Sequence, residues 1–247
     1  MSAKIRSLSL DKKVLLAAFL KVLPNNKAKF SYQELLESNI SPARYLNADI
    51  FIELACAKLI GKEGGVFSSQ DGCTVFNIIL KGDYSEQQLA DLRSQISSAD
   101  EHSELDVRGV VMLMINVIVA ECIQFVSDQL SLDIFDIKLL KNPPKALLNL
   151  LERYTLAEIY TLISEAASES PLLDKEQSVL GVLSEICHSA QRLALLDAKN
   201  NKPINLYQKK EHLQSSVVTS ILMESYLGFK SDEYFTSHIW PLLSSLR

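Results

Sequence analysis

The side chains best suited to catalysis or metal binding are scattered along this sequence. The four histidines are His102, His188, His212 and His238. None lies at the spacing of a zinc-protease helix, and none joins cysteines in a zinc-binding cluster. Cys187 and His188 are adjacent, so on a helix they point about 100° apart and do not face one substrate together. We therefore predict neither a metal site nor a cysteine nucleophile.

Glycines and acidic pairs also give no sign of a catalytic centre. The run Gly61–Gly65 (GKEGG) precedes a predicted hairpin, whereas a phosphate loop needs its amides at the start of a helix. The pairs Asp133 with Asp136 and Asp232 with Glu233 have no matching acidic partners elsewhere, and we expect them on the surface. We expect no cofactor, and an enzyme with an unfamiliar site is the least favoured of three hypotheses.

The cysteines indicate a reducing compartment. Cys56, Cys73, Cys122 and Cys187 are far apart, and no CxxC pair occurs. The first ten residues are too polar for the apolar core of a signal peptide. We expect buried free thiols in a cytoplasmic protein.

Composition predicts a mainly helical globular chain with one large domain or two ordinary ones. Of its 247 residues 47% are apolar and 22% charged, and only eight are Gly and seven Pro. The segment Val110–Ala120 is apolar except for Asn116. This run is shorter than the roughly 20 residues of a membrane-spanning helix, so it predicts the central helix of a soluble core.

The N-terminal third contains three predicted helices followed by a β-hairpin. The first helix is predicted over Leu10–Leu23, and a capping box at Ser31–Glu34 opens a short second helix. Ser41 and Pro42 are predicted to start a third helix that ends at Gly61. Asp71 and Gly72 then separate two β-prone runs, 66–70 and 73–80.

This order of elements resembles the winged helix-turn-helix superfamily over residues 10–81. The resemblance implies that the exposed face of the third helix enters the DNA major groove and that the hairpin contacts phosphates or the minor groove. The buried stripe is expected to contain Leu46, Ile50, Leu54 and Ala57. The candidate DNA-binding residues are Ser41, Arg44, Tyr45, Asn47, Lys58 and Lys62.

The charge distribution gives this expected DNA contact little support. Residues 1–85 hold 11 Lys/Arg against 8 Asp/Glu, and residues 86–247 hold 14 against 22. Asp49 and Glu53 lie near the expected approach surface, where each would repel phosphate. Since affinity for DNA depends strongly on phosphate neutralisation, we expect the isolated chain to bind DNA weakly.

We predict a winged-helix domain over residues 1–82, a helix and linker over 83–103, and an all-α interaction domain over 104–247. The leading hypothesis is a non-catalytic accessory subunit of a larger assembly that acts on DNA, of the chromosome-organising or phage-defence type. Its helical domain would contact a partner protein or a second copy. The alternative is a dimeric DNA-binding transcriptional regulator. Neither hypothesis involves a membrane.

Overall fold

The chain is mainly helical. The computed structural model describes residues 3–22, 29–62, 77–80, 86–98, 103–130, 142–169, 179–208 and 215–245. The helices are α1 (Ala3–Arg6), α2 (Leu10–Val22), α3 (Tyr32–Glu37), α4 (Arg44–Cys56), α5 (Glu86–Ser97), α6 (Glu104–Leu130), α7 (Lys145–Leu151), α8 (Leu156–Glu169), α9 (Val179–Lys199), α10 (Val217–Ser220) and α11 (Ile239–Ser245). A π-helix over Ile221–Tyr226 follows α10, and a 3₁₀ helix covers Ser231–Thr236.

Three short strands form one antiparallel sheet. They are β1 (Lys29–Ser31), β2 (Ile60–Lys62) and β3 (Asn77–Leu80), and their order in the sheet is β1-β3-β2. Ile78 of β3 pairs with Phe30 on one side and with Lys62 on the other. Of the predicted hairpin, only 77–80 is described; the strand 66–70 and the Asp71–Gly72 turn lie outside the described residues.

The chain divides into two compact units that differ from the predicted domains. The first unit comprises Met1–Met114 and Ser216–Gly228, and the second comprises Ile115–Ser215 and Phe229–Arg247. The predicted boundary placed everything after residue 103 in one domain. The observed division instead assigns the start of α6 and a late segment of the chain to the first unit.

In the first unit, α2 is the central helix. It packs against α4, α5 and α10, and its residues from Val14 to Phe19 are all buried. The amides of Val217 and Val218 donate to the carbonyls of Asn39 and Ile40, at 3.0 and 2.9 Å. Residues 216–228 are therefore part of the same core as the N-terminal helices.

Helix α6 contains the predicted apolar run and is longer than that run. Its 27 residues are apolar enough to cross a membrane by length and composition, but 67% of its apolar window is buried within the protein. Val117, Val119 and Ala120 are each at most 1% exposed. This burial is typical of a core helix, and length and composition alone are weak evidence for a membrane span.

In the second unit, α9 packs against α8 and α7. An aromatic cluster forms around Tyr160 of α8. Phe125 stacks on Tyr160 with ring centroids 3.9 Å apart, and Tyr207 meets the edge of Phe125 at 5.1 Å. Phe235 of the 3₁₀ helix contacts Tyr160 at 5.1 Å. The four rings connect three separate segments of the chain to α8.

The sequence predicts two helices near the C-terminus, over about 207–226 and 234–246, and both predictions are wrong in extent. The helix predicted over 207–226 begins only at Val217, since residues 202–208 have no helical structure. The amide of Tyr207 donates instead to the carbonyl of Ala157 on α8. The helix predicted over 234–246 is a 3₁₀ helix and then α11, separated at Ser237 and His238.

Candidate interaction surface on helix α4

The side chain of Asn47 joins α3, α4 and the turn between them. Its amide nitrogen lies 3.2 Å from the carbonyls of Leu35 and Leu36 and 2.9 Å from that of Ser38. Its amide oxygen accepts from the backbone N–H of Ser41 at 3.0 Å and from the Ser41 hydroxyl at 2.6 Å. Asn47 is 1% exposed, so these bonds form in the interior. They satisfy carbonyls at the end of α3, which have no partner within that helix.

The expectation that three of the candidate DNA-binding residues lie on the exposed face of the helix is wrong. Ser41, Tyr45 and Asn47 are buried, with at most 4% of each exposed, and a DNA groove does not reach them in this fold. The helix also begins later than predicted. Ala43 occupies the N-cap position, while the Ser41 hydroxyl bonds to the Ala43 carbonyl and to Asn47. Ser41 stabilises the turn and does not cap α4.

The exposed face of α4 carries mixed chemistry. Arg44 lies at its start and Lys58 just beyond its end, and both are exposed, as predicted. Between them lie Glu53, which is exposed, and Ile52, whose side chain is 49% exposed. Ile52 was not among the candidate residues, although its position between Asp49 and Glu53 on a helix was a signal of exposure.

The remaining expectations for α4 are met only in part. Leu46, Ile50 and Leu54 form the buried stripe, whereas Ala57 is only half-buried. Asp49 is also half-buried. Lys62 lies in strand β2, and its side chain lies outside the described part of the structure. The predicted basic surface is thus reduced to Arg44 and Lys58 among the side chains that the structure describes.

Helix α4 ends in a Schellman motif centred on a lysine. The amide of Leu59 donates to the carbonyl of Leu54 at 3.0 Å, and that of Lys58 donates to Ala55 at 2.9 Å. Lys58 has a φ of 57°, in the left-handed region. Gly61, which was predicted to end the helix, lies instead in β2 and is buried. The position that favours glycine is therefore occupied by a lysine.

Replacing Lys58 with glycine is expected to stabilise the first unit by about 1 kcal/mol, because glycine adopts a positive φ without steric cost. The midpoint of urea denaturation would report the change. Lys58→Ala is the matched control: it removes the same charge but keeps the Cβ, so it should give no such gain. Equal effects of both variants would contradict the backbone explanation.

Comparisons of the chain with protein-family models, with curated proteins and with solved structures each gave no significant match.

A buried polar cluster in the second unit was not predicted. The hydroxyl of Tyr234 lies 3.3 and 3.4 Å from the two carboxylate oxygens of Glu121, and 3.0 Å from the hydroxyl of Ser215. The Tyr160 hydroxyl donates to the backbone carbonyl of Glu121 at 3.2 Å. All these atoms except that of Ser215 belong to buried residues. The cluster connects three segments of the second unit and gives no open access to a substrate.

The cysteines only partly follow the prediction. Cys122 and Cys187 are buried free thiols, but Cys56 is exposed on α4, and Cys73 lies outside the described residues. Burial raises the pKa of Cys187 to about 12. Burial, followed by the negative charge of Glu121, raises the pKa of Cys122 well above its usual value. Both thiols are therefore unreactive in the folded protein.

Among the described residues no cluster of three or more His, Cys, Asp or Glu could hold a metal ion.

These thiols predict a loss of stability in alkaline solution. Above about pH 9 the unfolded chain releases thiol protons that the folded chain retains, so the free energy of unfolding falls as pH rises. For Cys187 the expected loss is about 1.4 kcal/mol per pH unit until its folded pKa is reached. Urea denaturation at about pH 8 and pH 10 would measure it. Cys187→Ala should reduce the slope, and an unchanged slope in this variant would contradict the assignment.

A cleft of about 240 Å³ lies in the second unit between the end of α7 and helix α9. Its walls include Leu150 and Tyr154 on one side and Ala194 and Leu195 on the other. Glu152 and Arg153, both exposed, also line it. The cleft therefore has both apolar and charged walls.

Proposed function

We propose that this chain is a non-catalytic winged-helix subunit of a larger assembly, in which the exposed face of α4 contacts a protein. The assembly would be one that acts on DNA, of the chromosome-organising or phage-defence type. The second unit would supply further protein contacts. The observation that carries the proposal is the exposed α4 face, on which an isoleucine and a glutamate lie where a DNA-reading helix would present polar and basic side chains.

The order of elements in the first unit supports the winged-helix assignment. A helix, a short strand, two helices and two further strands follow one another from α2 to β3. In the sheet the last strand lies in the middle, with β1 on one side and β2 on the other. In a winged helix the strand before the second helix extends the hairpin that follows the third helix. The α3–α4 pair, connected by Asn47, corresponds to the helix-turn-helix.

The chemistry of α4 favours a protein partner over DNA. Only Arg44 and Lys58 offer positive charge on its described exposed face, and they lie at opposite ends of the helix. Glu53 lies between them, where it would repel phosphate. The side chain of Ile52 exposes apolar surface, and burial of this surface against another protein would stabilise the complex. The aromatic and amide groups of Tyr45 and Asn47, which could have read bases, are buried.

The first experiment measures binding of the purified full chain to a mixed-sequence duplex at about 50 mM and 200 mM salt. We expect a Kd weaker than about 10 µM at the lower salt concentration, which corresponds to nonspecific contact only. Micromolar or tighter binding that is lost at 200 mM salt and in Arg44→Glu would overturn the proposal. It would instead support the dimeric regulator, in which two weakly binding copies gain affinity through effective concentration.

A second experiment tests the protein contact directly. A photo-crosslinking amino acid is placed at Ile52 in the full chain, expressed in the source cells, and at Arg93 on the exposed side of α5 as the control. We expect position 52 to crosslink to one defined protein and position 93 to give no comparable product. Crosslinks from position 52 to DNA, or identical products from both positions, would contradict a protein-binding role for α4.

A further inference from the structure

One side of α9 faces solvent along the whole helix. The exposed residues of that side are Gly181, Glu185, His188, Arg192, Leu195 and Lys199. Their spacing alternates between four and three residues, which keeps them on one face of the helix. At the ends of this face, Leu180, Leu195 and Leu196 are exposed by 48%, 55% and 54%. The opposite side, with Val182, Leu183, Ile186 and Ala190, is buried in the second unit.

We propose that this face, referred to below as the α9 face, binds the same face of a second copy of this chain in an antiparallel, two-fold symmetric pair. A two-fold interface brings one patch against itself, so the patch must be self-complementary. The α9 face has this property. Its charges have opposite signs on the two sides of its centre, and its leucines lie at both ends.

The charges pair if the two-fold axis passes near His188 and Ser189. Glu185 and Arg192 then lie at equal distances from the axis, so Glu185 of each copy is level with Arg192 of the other. Residues seven apart on a helix point within about 20° of the same direction, so both groups lie on the same side of the interface. The Arg192 guanidinium already donates to the hydroxyl of Ser189 at 2.9 Å, which directs it along the face towards the centre. One register thus forms two equivalent ion pairs.

The same register brings the apolar ends together. Leu180 of one copy comes within one residue of Leu196, and within two residues of Leu195, of the other. Leu195 also lines the 240 Å³ cleft between α7 and α9. This cleft is open beside the position that Leu180 of the second copy would reach, so it can receive that side chain. Burial of the leucines supplies free energy, while the ion pairs determine orientation and register.

This inference does not depend on the proposed role of α4, since the α9 face lies in the second unit. It goes beyond that role by specifying a second copy as the partner of the helical part. A monomeric chain would overturn the dimer and leave the α4 proposal standing. Strong DNA binding by α4 would overturn the α4 proposal and leave the dimer standing.

The test is sedimentation equilibrium of the full chain and of charge-swap variants. We expect a dimer with a Kd of about 10 µM or tighter. Glu185→Arg and Arg192→Glu should each weaken the dimer about tenfold, because each converts two attractive pairs into repulsive ones. An equimolar mixture of these two variants should form a heterodimer of near wild-type affinity, since every pair is then again of opposite sign.

Two further variants complete the test. Leu195→Asp should raise the Kd about a hundredfold by burying a charge in the apolar end. Glu169→Arg makes the same charge change as Glu185→Arg at an exposed position on α8 and should leave the Kd unchanged. A wild-type chain that is monomeric at about 100 µM would overturn the proposal. A dimer whose Kd is unchanged by Glu185→Arg would also overturn it. The same holds if the mixture of Glu185→Arg and Arg192→Glu dimerises no more tightly than either variant alone. All four substitutions are at exposed positions, and circular dichroism would check that each variant is folded.

Discussion

Asn47→Ala is expected to lower the free energy of unfolding by about 3 kcal/mol. The substitution removes the bonds to the carbonyls of Leu35, Leu36 and Ser38 and leaves the amide of Ser41 without its acceptor. Each buried polar group deprived of its partner costs about 1–3 kcal/mol, and the turn can recover part of this by admitting water. Urea denaturation followed by circular dichroism would measure the loss.

Two control variants separate the structural role of Asn47 from a role in binding. Asn47→Asp retains the size of the side chain, but its carboxylate would face three carbonyl oxygens, so it should destabilise the protein at least as much as alanine. Arg44→Ala, on the exposed side of the same helix, should change stability by less than about 0.5 kcal/mol. If Asn47→Ala were as stable as the wild type, the assignment of Asn47 to the core would be wrong.

Phe125→Ala is expected to destabilise the second unit by about 4 kcal/mol. Its ring is 1% exposed, stacks on Tyr160 and meets the edge of Tyr207. Truncation of a buried phenylalanine to alanine costs roughly 3–5 kcal/mol, through lost transfer free energy and the cavity that remains. Near-ultraviolet circular dichroism should lose intensity because the stacked pair is broken, and the urea midpoint should fall.

A smaller change at the same position tests the contribution of the stacked ring itself. Phe125→Leu keeps most of the apolar volume, so its cost should be about 1–2 kcal/mol. Tyr207→Ala removes a half-exposed ring from the edge of the cluster and should cost less than Phe125→Ala. A larger loss of stability for Tyr207→Ala than for Phe125→Ala would mean that the segment 202–208, and not α8, depends most on the cluster.

The features predicted correctly from the sequence are those that depend on neighbouring residues. The capping box predicted at Ser31 forms, with Glu34 reaching back to the first amide, and the same Thr-x-x-Glu pattern forms a capping box between Thr155 and Glu158. The buried residues Leu46, Ile50 and Leu54 of α4 follow from its helical period, and the helix around Val110–Ala120 follows from its apolar composition. Such signals need no knowledge of distant contacts.

The errors arose where distant segments decide the outcome. Helical spacing placed Asn47 and Tyr45 on the exposed side of α4, but the α3 turn and the rest of the unit cover that side. Nothing near Asn47 in sequence indicates that three carbonyls up to 12 residues earlier will converge on it. Likewise, Lys58 takes the left-handed position that the sequence suggested for Gly61, because β2 begins immediately afterwards and uses Gly61 for pairing with β3.

The candidate surfaces, too, were predicted correctly only where neighbouring residues determine exposure. Arg44 and Lys58 were correctly expected to be exposed, because each carries a charge at a helix end. Ile52 and the leucines of α9 were missed, since an apolar residue in a helix is ordinarily assigned to the core. Their exposure depends on which side of each helix the rest of its unit covers, and sequence period alone does not specify that side when apolar residues occur on both.

The return of residues 216–228 to the first unit has a consequence for synthesis of the chain on the ribosome. Helix α2 obtains its neighbour α10 only after residue 228 has left the exit tunnel, more than 100 residues after Met114. At bacterial or eukaryotic elongation rates the N-terminal helices wait on the order of ten seconds with part of their apolar surface uncovered. During that interval the nascent chain is a substrate for chaperones, and a ribosome stalled before residue 216 would release a fragment prone to aggregation.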